Sequence, residues 1–409
     1  MAIGDIIVGI DIGTSKVSTF VGEVNNFNQI EILCSTSSKC AAIKKGQIVS
    51  EEELSASIAR TIKEVEEISN LRVNSAYTTI PGNYITIVQN SIVKEAKDKF
   101  SGITVKDVAA AIIQAREIEI PEDKVIIDIV PDKFILEDGK AVDDPVGRFS
   151  SNFTLTAQII LAEKDYVRKL TSVFRKAGLE IDGIIPTVLA ERNLVLDTNE
   201  LNDNVMILDI GAGSTDIGIF SGSSFIYTNS LPLGGDSITN DIEYCLNISR
   251  EEAEKLKRQY GLALKSFIDN DNNIVLNTSK VEKNQTIKSS DLIEIIEARI
   301  EEIFSLINKD IVSHGINKNT INNVILTGEG ITNITKSDMA GKIVLNIPVK
   351  IATGRLLNSV KSTHRVSFAL VRYIAARPYA KTVSSSINVK TERNVIKTFL
   401  GKVRDFFYS

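Results

Sequence analysis

Short apolar runs alternate with segments of helical periodicity along most of the chain, a pattern that predicts an α/β fold. Residues 6–11 (IIVGID) read as a buried strand, and residues 16–24 (KVSTFVGEV) as its hairpin partner across a tight turn. A helix is predicted over Glu51–Ser69, with Ser50 and Glu53 at capping-box spacing and Leu54, Ile58, Ile62 and Val65 on one face. Residues 84–163 read as an inserted α+β unit. It has strands at YITIVQNSIV, KVIIDIV and NFTLTAQIILAE, and a helix opened by Thr104 and Asp107. Asp165–Ala177 reads as a helix stopped by Gly178.

The second half opens on residues 204–220 (NVMILDIGAGSTDIGIF), again strand, glycine turn and strand. Charged helical stretches follow at 237–260 and 289–313. Residues 322–334 run from a strand into a glycine turn, and 367–376 form a closing helix. After Pro378 the chain is polar and without periodicity, which predicts a flexible linker.

Composition narrows the possibilities. The 409 residues carry a net charge of −5, which argues against a nucleic-acid binder. Three cysteines without a CxxC pair argue against a disulfide scaffold and fit a reducing compartment. Two histidines leave no multi-histidine metal site. The amino terminus lacks the basic and apolar regions of a secretory signal, and no apolar run reaches 18 residues. The expectation is a soluble, multidomain, intracellular protein.

The strongest internal signal is a near-repeat. Asp11-Ile12-Gly13-Thr14-Ser15 and Asp209-Ile210-Gly211-Ala212-Gly213-Ser214-Thr215-Asp216 each follow an apolar strand. Small residues let the backbone approach a ligand closely, and such a turn aims N–H groups at phosphate oxygens. The hydroxyls of Thr14, Ser15, Ser214 and Thr215 add donors, and Asp11 and Asp209 are placed to hold a hydrated Mg²⁺. A Walker or Rossmann glycine loop enters a helix. Here each loop enters a second strand, so two related half-domains are expected to clamp one nucleotide between them.

With these turns the chain resembles the actin, Hsp70 and sugar-kinase superfamily, and within it the FtsA family of bacterial cell-division proteins. Asp11–Lys16 and Asp209–Asp216 match the two phosphate motifs, Ile185–Ala190 and Ser367–Ala375 the two connecting helices, and Leu326–Gly330 the adenosine motif. Cys40–Val49, Val130–Leu136 with Asp144–Gly147, and Leu233–Thr239 leading to Ala253–Lys257 narrow the match to FtsA. The resemblance implies a duplicated, ribonuclease H-like actin fold: two lobes around a nucleotide cleft, with an inserted small α+β domain. It implies a first lobe at 1–83 and 164–195, the inserted domain at 84–163, and a second lobe at 196–236 and 303–378. A subdomain at 237–302, a linker at 379–393 and a terminal helix at 394–409 complete it. ATP and Mg²⁺ are the implied cofactors. Their contacts would be Asp11, Gly13, Thr14, Ser15, Lys16, Asp209, Gly211, Gly213, Ser214, Thr215, Gly234, Gly235, Glu254, Lys257, Gly328 and Gly330, with Asp11 and Asp209 reaching the metal through water. Arg258 is a further candidate for the adenosine. The implied partners are the carboxy-terminal peptide of the tubulin-like protein FtsZ, docking near 237–302, other copies of the chain in filaments or minirings, and other division proteins.

Two positions depart from the pattern. Relatives often carry a glutamate before the proline of the first connecting helix, where it positions the attacking water; here that residue is Ile185. Slow or absent hydrolysis would follow, with ATP a structural ligand. Glu191, farther along, is a possible substitute but is expected at the surface. Glu329 replaces a glycine of the adenosine motif and would either bond ribose hydroxyls or repel phosphate. The alternatives to a division protein are a related pilus or rod-shape assembly protein, or a small-molecule kinase, for which no carboxylate base is evident.

Residues 394–409 place Val395, Ile396, Phe399, Leu400, Val403, Phe406 and Phe407 within an arc of about 140°. Lys397, Lys402 and Arg404 lie opposite. The helix is too short to span a bilayer and suits an anionic membrane interface. Such a tail is how FtsA proteins anchor, so the resemblance implies a peripheral protein on the cytoplasmic face of the cell membrane, at the division septum. The charge is distributed accordingly. From Arg377 onward seven basic and two acidic residues give +5, which leaves −10 for the remainder.

Overall fold

The computed structural model describes residues 4–25, 29–96, 102–276, 285–353 and 360–377. The linker and the amphipathic segment 394–409 lie outside the described residues.

Two five-stranded sheets share one topology. In the first, Ile6–Ile12, Lys16–Val24 and Ile30–Lys39 form an antiparallel meander, and Ser75–Ile80 and then Glu180–Pro186 add in parallel on the other side of Ile6–Ile12. In the second, Asn204–Ile210, Thr215–Ser221 and Ser224–Leu231 form the meander, and Asn323–Thr327 and Val349–Ile351 add in parallel. The duplication expected from the two turns therefore extends through the sheets that carry them.

The central strands read as near-continuous apolar runs because helices cover both faces. Helices Thr187–Val195 and Arg365–Ala376 pack on each other between the two halves. Ile185, Val188, Phe368 and Leu370 share one core with Ile207 and Phe220 of the second sheet. Helix Ser289–Ser313 and its neighbours bury the opposite face of that sheet in a separate core.

Residues 85–163 form a third sheet, ordered Ile85–Glu95, Asn152–Glu163, Lys124–Leu136, Ala141–Val142, with its own core and a helix at Val105–Gln114. The Thr104–Asp107 capping box closes reciprocally. Pro131 is tolerated inside Lys124–Leu136 because the register slips beside it. The extra residue, Asp132, accepts hydrogen bonds from Ser223 and Ser224 of the second half at 2.8 and 2.6 Å.

Three local expectations change. Ser50 caps helix Glu51–Ser69 by accepting from the Glu53 N–H, but Glu53 Oε1 accepts from Ala41 N at 3.0 Å instead of completing the box. The stretch 237–260 is two helices, Gly235–Leu246 and Arg250–Tyr260, because Asn247 adopts a left-handed conformation (φ 50°) and Ser249 caps a new start. The closing helix begins at Arg365 and ends at Arg377, whose guanidinium bonds the buried Asp128 carboxylate and the Ile129 carbonyl of the inserted sheet. Asp128 is 1% exposed.

Candidate functional site

The two hairpin turns face each other. Gly13 N donates to Lys16 O and Gly211 N to Ser214 O, each at 2.9 Å, so the two turns close identically. They nearly touch: a Cβ on Gly213 would lie 2.5 Å from Cγ2 of Thr14, so this crossing requires glycine. A third turn comes from the end of strand Asn323–Thr327. Gly328 has φ +88°, and a Cβ there would meet the Asp209 carboxylate at 2.4 Å. Gly330 N then donates to Ile210 O, and Gly235 N to Gly211 O, which locks the glycine segments together.

Between these turns lies a cavity of about 320 Å³, within the size range of small-molecule sites. Of the residues expected to bind nucleotide, Asp11, Gly13, Thr14, Ser15, Lys16, Asp209, Gly211, Ser214, Gly235, Glu254, Lys257, Gly328 and Gly330 line it, as does Arg258. Gly213, Thr215 and Gly234 do not. Thr215 is buried and spends its hydroxyl on the Leu233 carbonyl at 2.8 Å.

Sequence reasoning missed Thr79, Thr187, Asp216, Ser362 and Arg365, which also line the cavity. Asp216 closes the second motif and stands directly across the hairpin from Asp209, so the motif itself carried its signal. Glu191 overturns an expectation. It is fully buried and lines the cavity, because Thr187 and Glu191 share a helix face one turn apart.

The floor is acidic. Burial first, and then the neighbouring Asp216 and Asp11, push the Asp209 carboxyl up to about 7. Burial pushes Asp216 up to about 6 against a hydrogen bond from Gly82 N at 3.0 Å. Asp11 is raised by burial despite accepting from the Thr79 hydroxyl at 3.0 Å, and Glu191 lies well above the usual carboxylate range. Lys16 and Arg365 offset only part of this repulsion. Three buried carboxylates, Asp209, Asp216 and Glu191, and the half-buried Asp11 around one cavity suit a cation. Among the described residues no three His, Cys, Asp or Glu converge to ligate a metal directly.

At the opposite wall, Glu254 accepts from Lys257 at 2.7 Å, Thr239 at 2.6 Å and Arg258 at 2.7 Å. Burial alone would raise its carboxyl; these partners outweigh it and hold it at about 2. Glu329 does not stand free. Lys16 Nζ reaches it at 2.6 Å, and Ser362 donates to its other oxygen. One ion pair thus bridges residues 313 positions apart, across the cavity mouth.

The family model described as "SHS2 domain inserted in FTSA" matches residues 82–161, and that described as "Cell division protein FtsA" matches residues 206–370. The FtsA of Bacillus subtilis is 30% identical over 76% of this chain and 71% of its own length. The chain belongs to the FtsA family. The FtsA of Pseudomonas aeruginosa is 28% identical over 88% of each chain. The FtsA fold here is actin-like. A structure titled as MreB5 of Spiroplasma citri bound to ADP superposes with a TM-score of 0.53, at 15% identity, covering 94% of this chain and 99% of that one. Among the described residues no helix is long and apolar enough to cross a membrane.

Proposed function

We propose that this FtsA-family protein binds Mg-ATP between its two halves and assembles on the cytoplasmic face of the membrane at the division septum. There it would tether FtsZ filaments. The observation that carries nucleotide binding is the pair of identical turns facing each other across a cavity floored by Asp11, Asp209 and Asp216. Backbone N–H groups and Lys16 suit phosphate, and the carboxylates suit its hydrated counter-ion. Glu254, Lys257 and Arg258 on helix Arg250–Tyr260 form the wall for the adenosine. The superposition on a structure titled as ADP-bound is consistent with this reading.

In this reading residues 1–83 with 164–195, and 196–236 with 303–378, are the two lobes. Residues 84–163 contact neighbouring copies and other division proteins, and 237–302 receive the FtsZ peptide. The basic amphipathic segment 394–409 anchors the acidic body to anionic lipid.

Calorimetry with Mg-ATP tests the cavity: Asp209→Ala abolishes binding, and unchanged affinity would refute the site. Co-sedimentation with anionic vesicles tests the anchor. The full chain pellets and a chain ending at Ala380 stays in solution, whereas equal sedimentation of both rules the anchor out. Phe399→Glu with Phe406→Glu releases the protein and leaves nucleotide affinity unchanged.

A further inference from the structure

Glu191, which the sequence offers only as a substitute for the missing glutamate and places at the surface, is built into the cavity instead. It is 0% exposed, yet it lines the cavity. Its Oε1 accepts from the Thr327 hydroxyl at 3.4 Å, and Thr327 in turn accepts from Arg365 Nη1 at 2.8 Å. Its Oε2 has no hydrogen-bond partner. Among the described residues it is the one buried, unpartnered side-chain polar atom that belongs to a cavity-lining residue. The nearby hydroxyls are already committed, Thr79 to Asp11 and Thr187 to the Ile80 carbonyl.

A fully buried carboxylate oxygen without a donor costs folding free energy. Such cost is retained where a ligand supplies the missing partner. The group that a carboxylate oxygen lacks is a hydrogen-bond donor, and a water molecule held between it and the terminal phosphate of a nucleotide is one. Ile185 cannot do this: it is 1% exposed and packed in the apolar core.

We propose that Glu191 is the general base of a nucleoside-triphosphatase reaction in this cavity, an inference that rests on the Mg-ATP reading above. A water held by Oε2 attacks the terminal phosphorus. A new phosphorus–oxygen bond forms as the bond to the bridging oxygen breaks, and its electron pair leaves on the nucleoside diphosphate. The water gives one proton to Oε2, so the products are diphosphate, inorganic phosphate and a protonated Glu191. Three elements converge on the step: helix Thr187–Val195 carries the base, the end of strand Asn323–Thr327 orients it, and Arg365 opens the closing helix and fixes Thr327. Both halves must be in place for it to work.

The full chain is tested with Mg-ATP for affinity by calorimetry, for phosphate release, and for the identity of the bound nucleotide after prolonged incubation. Glu191→Gln retains ATP affinity within about twofold, loses a hundredfold or more in phosphate release, and carries ATP where the parent carries ADP. Glu191→Asp retains part of the rate. Glu191→Gln turning over at the parental rate overturns the assignment. A parent chain that binds ATP and never releases phosphate also overturns it, and leaves the binding reading intact. A parent chain that binds no ATP overturns both. Should Glu191→Gln fail to fold, Thr327→Val carries the test: it unseats Oε1, and an unchanged rate of phosphate release refutes the proposal.

Discussion

Asp209→Asn should separate what the cavity does for stability from what it does for binding. The Asp209 carboxyl titrates near 7 in the fold, against an ordinary value of 3.8. The folded chain therefore holds a proton there that the unfolded chain has already lost over the window between those values. Stability from this group is present below about pH 4 and is lost as pH rises through 7. At neutral pH the charged carboxylate costs about 4 kcal/mol, from roughly three pH units at 1.4 kcal/mol each. Asp216 shares the same repulsion, so part of that cost is a property of the pair. Without divalent cation, Asp209→Asn should melt several degrees above the parent at pH 7.5, and the gap should close towards pH 5. Comparing the two chains at each pH cancels the carboxylates elsewhere. With Mg-ATP at a hundred times its dissociation constant the gap at pH 7.5 narrows to about 1 kcal/mol, because the ligand adds about 2.7 kcal/mol to the parent alone. Thermal melts from pH 5 to 8, with chelator and with Mg-ATP, supply all four comparisons. If the variant is no more stable than the parent at pH 7.5 in chelator, or the gap is as large at pH 5 as at pH 7.5, the carboxylate floor has been misread.

Glu329→Gly removes the partner that Lys16 must leave before it can meet a phosphate. The pair is partly exposed, so freeing Lys16 contributes about 1 kcal/mol, roughly a fivefold gain in ATP affinity by calorimetry; weaker binding would show that Glu329 touches the ligand. Arg377→Ala leaves the Asp128 carboxylate buried without its cation and should cost about 3–5 kcal/mol in chemical denaturation. Paired with Asp128→Asn, the loss should be far smaller than the sum of the two single losses.

What the chain discloses on inspection is what its neighbours in sequence decide. The two turns were legible because glycine, serine and threonine at a strand end fix a hairpin locally, and Gly178 and Thr104 marked helix ends for the same reason. The second capping box was half visible: Ser50 is a cap from sequence, but Ala41, 12 residues before Glu53, takes the carboxylate. The break at Asn247 also had a local signal, an asparagine two residues before a serine cap, which the helical periodicity on either side obscured. Glu191 and Glu329 were out of reach. Which helix face turns inward depends on how two sheets clamp Thr187–Val195, and Glu329 meets Lys16, 313 positions earlier, only once the chain between them folds. Nothing adjacent to either residue encodes those distances.

The closing helix Arg365–Ala376 has a mechanical consequence. At one end Arg365 holds Thr327 at the cavity; at the other, Arg377 grips Asp128 of the inserted sheet. Its flank lies against strand Ile6–Ile12, where a Cβ on Gly9 would meet the Ser367 carbonyl at 2.9 Å. A pull on the chain beyond Arg377 would pass through the backbone into the helix towards Arg365, with the Arg377 guanidinium sharing the load with strand Lys124–Leu136. Twelve residues make this a rod about 18 Å long. Tension at its far end and a ligand seated in the cavity at its near end would both act on this one helix.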